Sequence, residues 1–213
     1  GNKTVYTYRK SLGFELAKEN NISADVVVPI PDSGVSAALG FSQKSSIPFE
    51  LGIIRSHYVG RTFIEPSQTI RQFGVKLKHS VNRSCIEDKR VILIDDSIVR
   101  GTTASKIVKM VYEAGAKEVH LGISCPPIKH PDFYGIDTPN YNELIASKSN
   151  IEEMTELVGA KSLFFLSLDG TYKAMGYNER NKELPQFTDH CFTGEYPIDI
   201  SEILKINSYN ASR

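Results

Sequence analysis

The sequence predicts an α/β fold: a mainly parallel sheet flanked by helices, with a C-terminal segment that wraps the domain. Three observations carry this expectation. The runs "DVVVPI" (Asp25 to Ile30) and "VILI" (Val91 to Ile94) are short, β-branched and apolar nearly throughout, as strands covered on both faces must be. Stretches of helical periodicity alternate with such runs, and that alternation builds parallel sheets. Turn residues punctuate the joins, as in "PDSG" after Ile30.

In chain order, Tyr6 to Glu19 places Leu12, Leu16 and Ala17 at helical spacing, and Asp25 to Ile30 follows as a first strand. Val35 to Phe41 reads as a helix and "FELGII" (Phe49 to Ile54) as a second strand. The third is Val91 to Ile94. After it comes an amphipathic helix with Ala104, Ile107, Val108 and Val111 on one face, which Gly115 ends. "EVHLGIS" (Glu118 to Ser124) and "SLFFLSL" (Ser162 to Leu168) read as the fourth and fifth strands. The last ~45 residues have weak periodicity and are expected to wrap the domain or meet a partner.

Composition narrows the class. With 213 residues the chain can bury a substantial core, and 40% hydrophobic with 23% charged residues is ordinary for a globular protein. No apolar run approaches the ~20 residues that span a bilayer, and no secretory signal opens the chain, so no membrane partner is expected. Cys85, Cys125 and Cys191 are odd in number and far apart, which suggests a reducing, cytoplasmic setting. Net charge is zero but uneven: Arg55 to Arg90 holds eight Lys/Arg against three acids, a local balance of +5. A solvated face, a nucleic-acid surface or a small-polyphosphate site would each account for that segment.

The stretch "VILIDDSIVRGTT" (Val91 to Thr103) favours the last of these. Ligands of open parallel sheets sit at the carboxyl ends of strands, where Asp95 and Asp96 stand. Ser97 to Thr102 then make a small, hydroxyl-rich turn into a helix, and free N–H groups at such a start suit a phosphate. Two carboxylates would repel that phosphate, so they call for a metal ion or a pair of hydroxyls. A sugar phosphate offers both an anion and a diol. The competing reading is that Asp-Asp-Ser simply caps the helix. Neither G-x-x-x-x-G-K-[ST] nor an early G-x-G-x-x-G occurs, which removes the P-loop and dinucleotide readings.

"DDSIVRGTT" resembles the phosphoribosylpyrophosphate (PRPP) signature of type I phosphoribosyltransferases. Together with "VPIPDSG", "YVGRTFI" (Tyr58 to Ile64), "PSQTIRQFGVKLK" (Pro66 to Lys78), "EAGAKEVH", "YGIDTP" (Tyr134 to Pro139) and "CFTGEYP" (Cys191 to Pro197), it is similar to the glutamine PRPP amidotransferase family over nearly the whole chain. The resemblance implies a type I phosphoribosyltransferase fold across residues 1–213, with a core to about 165 and a C-terminal extension from about 166. It also implies a mobile loop from about Tyr58 to His79. The implied reaction joins PRPP and ammonia into 5-phosphoribosylamine and pyrophosphate, the first step of purine synthesis.

The resemblance also assigns roles. Ser97, Ile98, Val99, Arg100, Gly101, Thr102 and Thr103 would hold the 5-phosphate, and Asp95 and Asp96 the ribose hydroxyls, directly or through Mg²⁺. Asp32, Ser33 and Gly34 would bind pyrophosphate, with Ser33 near the metal. Arg61 and Lys78 would reach the pyrophosphate from the loop, and Tyr58 would couple the loop to ammonia delivery. The basic segment then serves PRPP rather than nucleic acid. No general base is expected, and the five histidines read as packing or surface residues.

Family members carry an N-terminal glutaminase domain that these residues do not contain, so use of free ammonia is expected. Some also hold a [4Fe–4S] cluster through cysteines, one where this chain has Asp132 and a C-x-x-C pair where it has Thr188 and Cys191. One remaining thiol cannot hold a cluster, so no iron–sulfur centre is expected. A homo-oligomer inhibited by purine nucleotides is implied as well. Three other readings share the motif: a base-salvaging phosphoribosyltransferase, a non-catalytic PRPP-sensing regulator, and an isolated domain that is inactive without its glutaminase half.

Overall fold

The computed structural model describes residues 4–56, 79–136, 138 and 140–201. Its main sheet has four strands: β1 (Val26–Pro29), β4 (Arg90–Asp95), β5 (Glu118–Ile123) and β6 (Ser162–Phe165), in the order β1-β4-β5-β6. All three pairings are parallel. The structure therefore bears out an α/β domain built on a parallel sheet.

Strand side chains alternate between two cores, which is why the strand sequences show no polar face. Val26, Val28 and Leu93 point into one core with Ile107 and Val111 of α4 (Thr102–Glu113) and Met154 and Val158 of α6 (Ile151–Val158). Val27, Ile92 and Ile94 point into the other, against Leu16 of α1 (Val5–Glu19) and Ala37, Ala38 and Phe41 of α2 (Val35–Ser45). Helices α1 and α2 meet through reciprocal glycines: a Cβ on Gly13 would lie 1.8 Å from the Ala37 carbonyl oxygen, and one on Gly40 1.9 Å from that of Lys10.

Two expected strands differ. Phe49 to Ile54 is not a strand of the main sheet. Phe49 makes one isolated parallel bridge to Val27, and β2 (Ile53–Arg55) pairs antiparallel with β3 (His79–Val81) in a separate two-stranded sheet. Gly52 seats the chain against Val28 and Ile86, the latter on α3 (Arg83–Ile86), where a Cβ would come within 3.0 Å of a Val28 methyl. The other strand, begun at Ser162, stops at Phe165. Ser167 accepts from the Gly170 N–H and so caps α7 (Leu168–Ala174).

After α7 the described chain continues through an irregular segment to α8 (His190–Thr193). Two contacts hold this part to the body. Glu19, at the end of α1, accepts from the N–H and hydroxyl of Ser167 at 2.8 and 2.6 Å. Buried Tyr172 and half-buried Arg180 both donate to Asp189, at 2.8 and 2.6 Å. Among the described residues no helix is long and apolar enough to cross a membrane.

Candidate functional site

The register of β1 on β4 sets the site. Pro29 pairs with Ile94, and the Ile30 N–H donates to the Ile94 carbonyl at 2.8 Å, so the two strands end side by side. The turns that follow them, Pro31 to Gly34 and Asp96 to Gly101, are thereby neighbours. Ser33 Oγ donates to Asp95 Oδ1 at 3.2 Å and joins them directly. Gly34 is required by closeness, because a Cβ there would stand 2.2 Å from the Ile94 carbonyl oxygen.

Asp95 ends β4 and is fixed from several sides. Its carbonyl accepts from the Ser124 N–H at 3.0 Å, and its Oδ1 also takes the Asp96 N–H at 2.8 Å. Burial, and then repulsion from Asp96, push its carboxyl up to about 7, against the hydrogen bonds from the Asp96 amide and Ser33. Ser97 Oγ donates to Asp96 Oδ1 at 3.2 Å. Two carboxylates and a hydroxyl meeting at a strand end are hard oxygen donors. They fit Mg²⁺, which binds through one or two carboxylates and leaves its other positions to water and substrate oxygens. The raised carboxyl of Asp95 adds to the fit, since a divalent cation can replace its proton and relieve the repulsion.

Beyond Asp96 the turn is anchored by its apolar members. Ile98 is buried, and the Val99 carbonyl accepts at 2.9 Å from the N–H of Ile145, which opens α5 (Ile145–Lys148). Gly101 has φ +76° and precedes α4, a conformation that suits glycine. None of the backbone N–H groups from Ser97 through Ala104 donates to a described residue. A run of bare amides at the start of a 12-residue helix is a ready anion cradle, with Thr102 and Thr103 exposed beside it. The amides of Asp32 and Ser33 are likewise unpaired among the described residues.

The structure thus brings together Asp32, Ser33, Gly34, Asp95, Asp96 and the turn Ser97 to Thr103. Tyr58, Arg61 and Lys78 lie outside the described residues. Two neighbours are not among the residues assigned a site role from the sequence. Arg55, at the end of β2, reaches Asp32 Oδ2 at 2.6 Å. Glu143 receives Arg100 Nε at 2.9 Å and steadies the turn from outside. The only sequence signal for Arg55 is the basic cluster it opens, and Glu143 has none. Of the described histidines other than His79, His120 Nδ1 lies 2.8 Å from Ser162 Oγ, His130 Nδ1 3.1 Å from Tyr141 Oη, and His190 Nε2 2.7 Å from Asp132 Oδ1.

Comparison with known proteins agrees with this geometry. Residues 10–135 match the phosphoribosyl transferase domain family. The chain is 62% identical over 198 residues to an amidophosphoribosyltransferase of Rhizobium etli, an alignment covering 92% of this chain and 40% of that protein. It is 52% identical over 196 residues to the one from Bacillus subtilis, covering 92% of this chain and 41% of the relative. The fold superposes on the solved glutamine PRPP amidotransferase of B. subtilis, complexed with ADP and GMP, with TM-score 0.83 and 51% identity. That match covers 93% of this chain and 44% of the other. The chain therefore spans about two fifths of the length of these relatives. It belongs to the phosphoribosyl transferase domain family, with amidophosphoribosyltransferases among its high-identity relatives.

Proposed function

We propose that this chain is the phosphoribosyltransferase portion of an amidophosphoribosyltransferase, converting PRPP and ammonia to 5-phosphoribosylamine and pyrophosphate. The observation that carries the reading is the joining of the two strand-end turns by Ser33 and Asp95, beside the amides of Ser97 to Ala104, which donate to no described residue. In the proposed complex those amides and the hydroxyls of Thr102 and Thr103 hold the 5-phosphate. Asp95 and Asp96 take the ribose diol, and the amides of Asp32 and Ser33 take the pyrophosphate. Mg²⁺ held by Asp95, Asp96 and Ser33 would supply charge neutralisation of the leaving pyrophosphate.

The bond from C1 to the pyrophosphate oxygen breaks as the ammonia nitrogen bonds to C1, and the new amine gives one proton to solvent. Neutral ammonia brings its own lone pair, so no side chain is assigned as general base. The protein's work is to orient the sugar, stabilise the departing anion and keep water from C1. We assign Arg61 and Lys78 to the pyrophosphate and Tyr58 to coupling with ammonia delivery. A glutaminase domain as ammonia source, inhibition by purine nucleotides, assembly into a homo-oligomer and a cytoplasmic setting complete the proposal. The B. subtilis relative's complex with ADP and GMP supports its nucleotide part.

Pyrophosphate release from PRPP and Mg²⁺ tests the reading, with ammonium, with glutamine and with neither, for wild type beside Asp95→Asn/Asp96→Asn. Release with ammonium that the double variant loses is the expected result. Binding of PRPP without release under any condition would favour the regulator or inactive-domain alternatives.

A further inference from the structure

Away from the strand ends, Asp132, His190 and Cys191 each bring a donor atom to within 4.8 Å of the others. Asp132 follows β5, whereas His190 and Cys191 open α8 in the C-terminal extension. Asp132 and Cys191 are positions where the resemblance implies cluster-ligating cysteines in some family members, and Thr188, the third such position, is exposed. The donor set does not fit an iron–sulfur cluster, which takes about four thiolates.

A single metal ion fits poorly as well. Oxygen and nitrogen ligands at ~2.0–2.1 Å in a tetrahedral site stand roughly 3.3 Å apart. Asp132 Oδ1 and His190 Nε2 are instead in direct hydrogen-bond contact at 2.7 Å. The other Asp132 oxygen is committed, accepting the N–H groups of Tyr134 at 3.0 Å and Ile136 at 2.7 Å. His190 Nδ1 is buried without a partner among the described residues, and it is the one nitrogen a metal could take. With one thiol beside it, that makes two donors among the described residues.

The surroundings bind the extension to the loop after β5. The Cys191 carbonyl accepts the N–H groups of Lys129 and His130, at 2.9 and 3.1 Å. The rings of Tyr134 and Tyr196 pack on His190, with centroids 5.0 and 5.1 Å away, and Tyr196 Oη donates to the Pro131 carbonyl at 2.8 Å. We infer that the buried Asp132–His190 hydrogen bond is a metal-free clip that docks the C-terminal extension, at the place where the family resemblance would put an iron–sulfur cluster. Docking of the extension is therefore independent of iron and of the Cys191 thiol.

The test uses the full chain purified without air, so that an oxygen-labile cluster would be kept. Metal content and Tm are measured with and without a chelator, together with the rate of proteolysis in the exposed 181–184 stretch, where Leu184 is 77% exposed. No stoichiometric metal and no effect of the chelator are expected. Cys191→Ser should leave Tm and cleavage unchanged. His190→Gln and Asp132→Asn should each lower Tm and speed cleavage about tenfold, as loss of a buried charge-assisted hydrogen bond does. The double variant should be no worse than the poorer single one. Should His190→Gln prove insoluble, Asp132→Asn supplies the same reading. A stoichiometric metal whose removal lowers Tm overturns the inference, as does Cys191→Ser falling as far as His190→Gln. So does a pair of clip variants that behave like wild type.

Discussion

Ser33 Oγ and Asp95 Oδ1 stand 3.2 Å apart although the residues are separated by 62 positions. That bond ties the turn after β1 to the carboxyl end of β4, and the partly buried carboxyl leans on it for one of its acceptor contacts. Ser33→Ala should therefore raise KM for PRPP about 5–10-fold with a smaller change in kcat, as loss of one hydrogen bond predicts. Steady-state kinetics with ammonium, at saturating and at limiting Mg²⁺, checks this.

Asp95 should set a pH dependence of stability. Its carboxyl is pushed up to about 7 when folded, above the unfolded value near 3.9. Such a group binds its proton more tightly in the folded chain, so its contribution is fully present below the unfolded value and is lost as pH rises through about 7. Asp95→Asn removes the penalty. In magnesium-free buffer it should raise Tm by about 2–6 °C at pH 8 and by less at pH 5, while abolishing pyrophosphate release. Thermal melts across that pH range are the measurement.

Gly34→Ala should cost about 3 kcal/mol or more, lowering Tm by roughly 6 °C or more. The added methyl would stand 2.2 Å from the Ile94 carbonyl oxygen and 2.8 Å from that of Ile30, both backbone atoms that cannot step aside. Denaturant unfolding gives the cost, and PRPP binding should weaken with it because the turn shifts.

Arg180, Asp189 and Tyr172 form a graded pair of tests. Tyr172→Phe removes one of the donors to Asp189 and should cost about 1–2 kcal/mol. Arg180→Ala leaves the buried Asp189 carboxylate without its cation and should cost about 3–5 kcal/mol, since the Arg180 side chain is only 9% exposed. Equal losses from both would contradict the central place of the guanidinium in this network.

Much of the architecture could be read from the chain because the central strands are apolar on both faces. Val26 to Val28 and Val91 to Ile94 needed no knowledge of their partners to be recognised. The site's two turns followed from where those strands end. Short edge elements were harder. Strands β2 and β3 have three residues each, Ile54 faces solvent, and Ile53 is held by a ladder to residues 79–81 that no local pattern announces. Helix α6 is too short for periodicity to mark it, although its ends carry a local signature. Asn150 and Glu153 make a reciprocal capping box, and Gly159 closes the helix in the left-handed region. Arg55 on Asp32 and Glu143 on Arg100 are contacts across the fold, which spacing alone cannot reveal.

The parallel pairing of β1 with β4 also bears on how the chain comes off the ribosome. Parallel neighbours so distant in sequence give high contact order, and the entropy of closing that long loop must be met before the pairing repays it. A nascent chain that has released only β1 and α2 holds one of the two turns of the proposed phosphate site. Its strand edge stays open until β4 emerges, so the interval between the two is when a chaperone would be of most use.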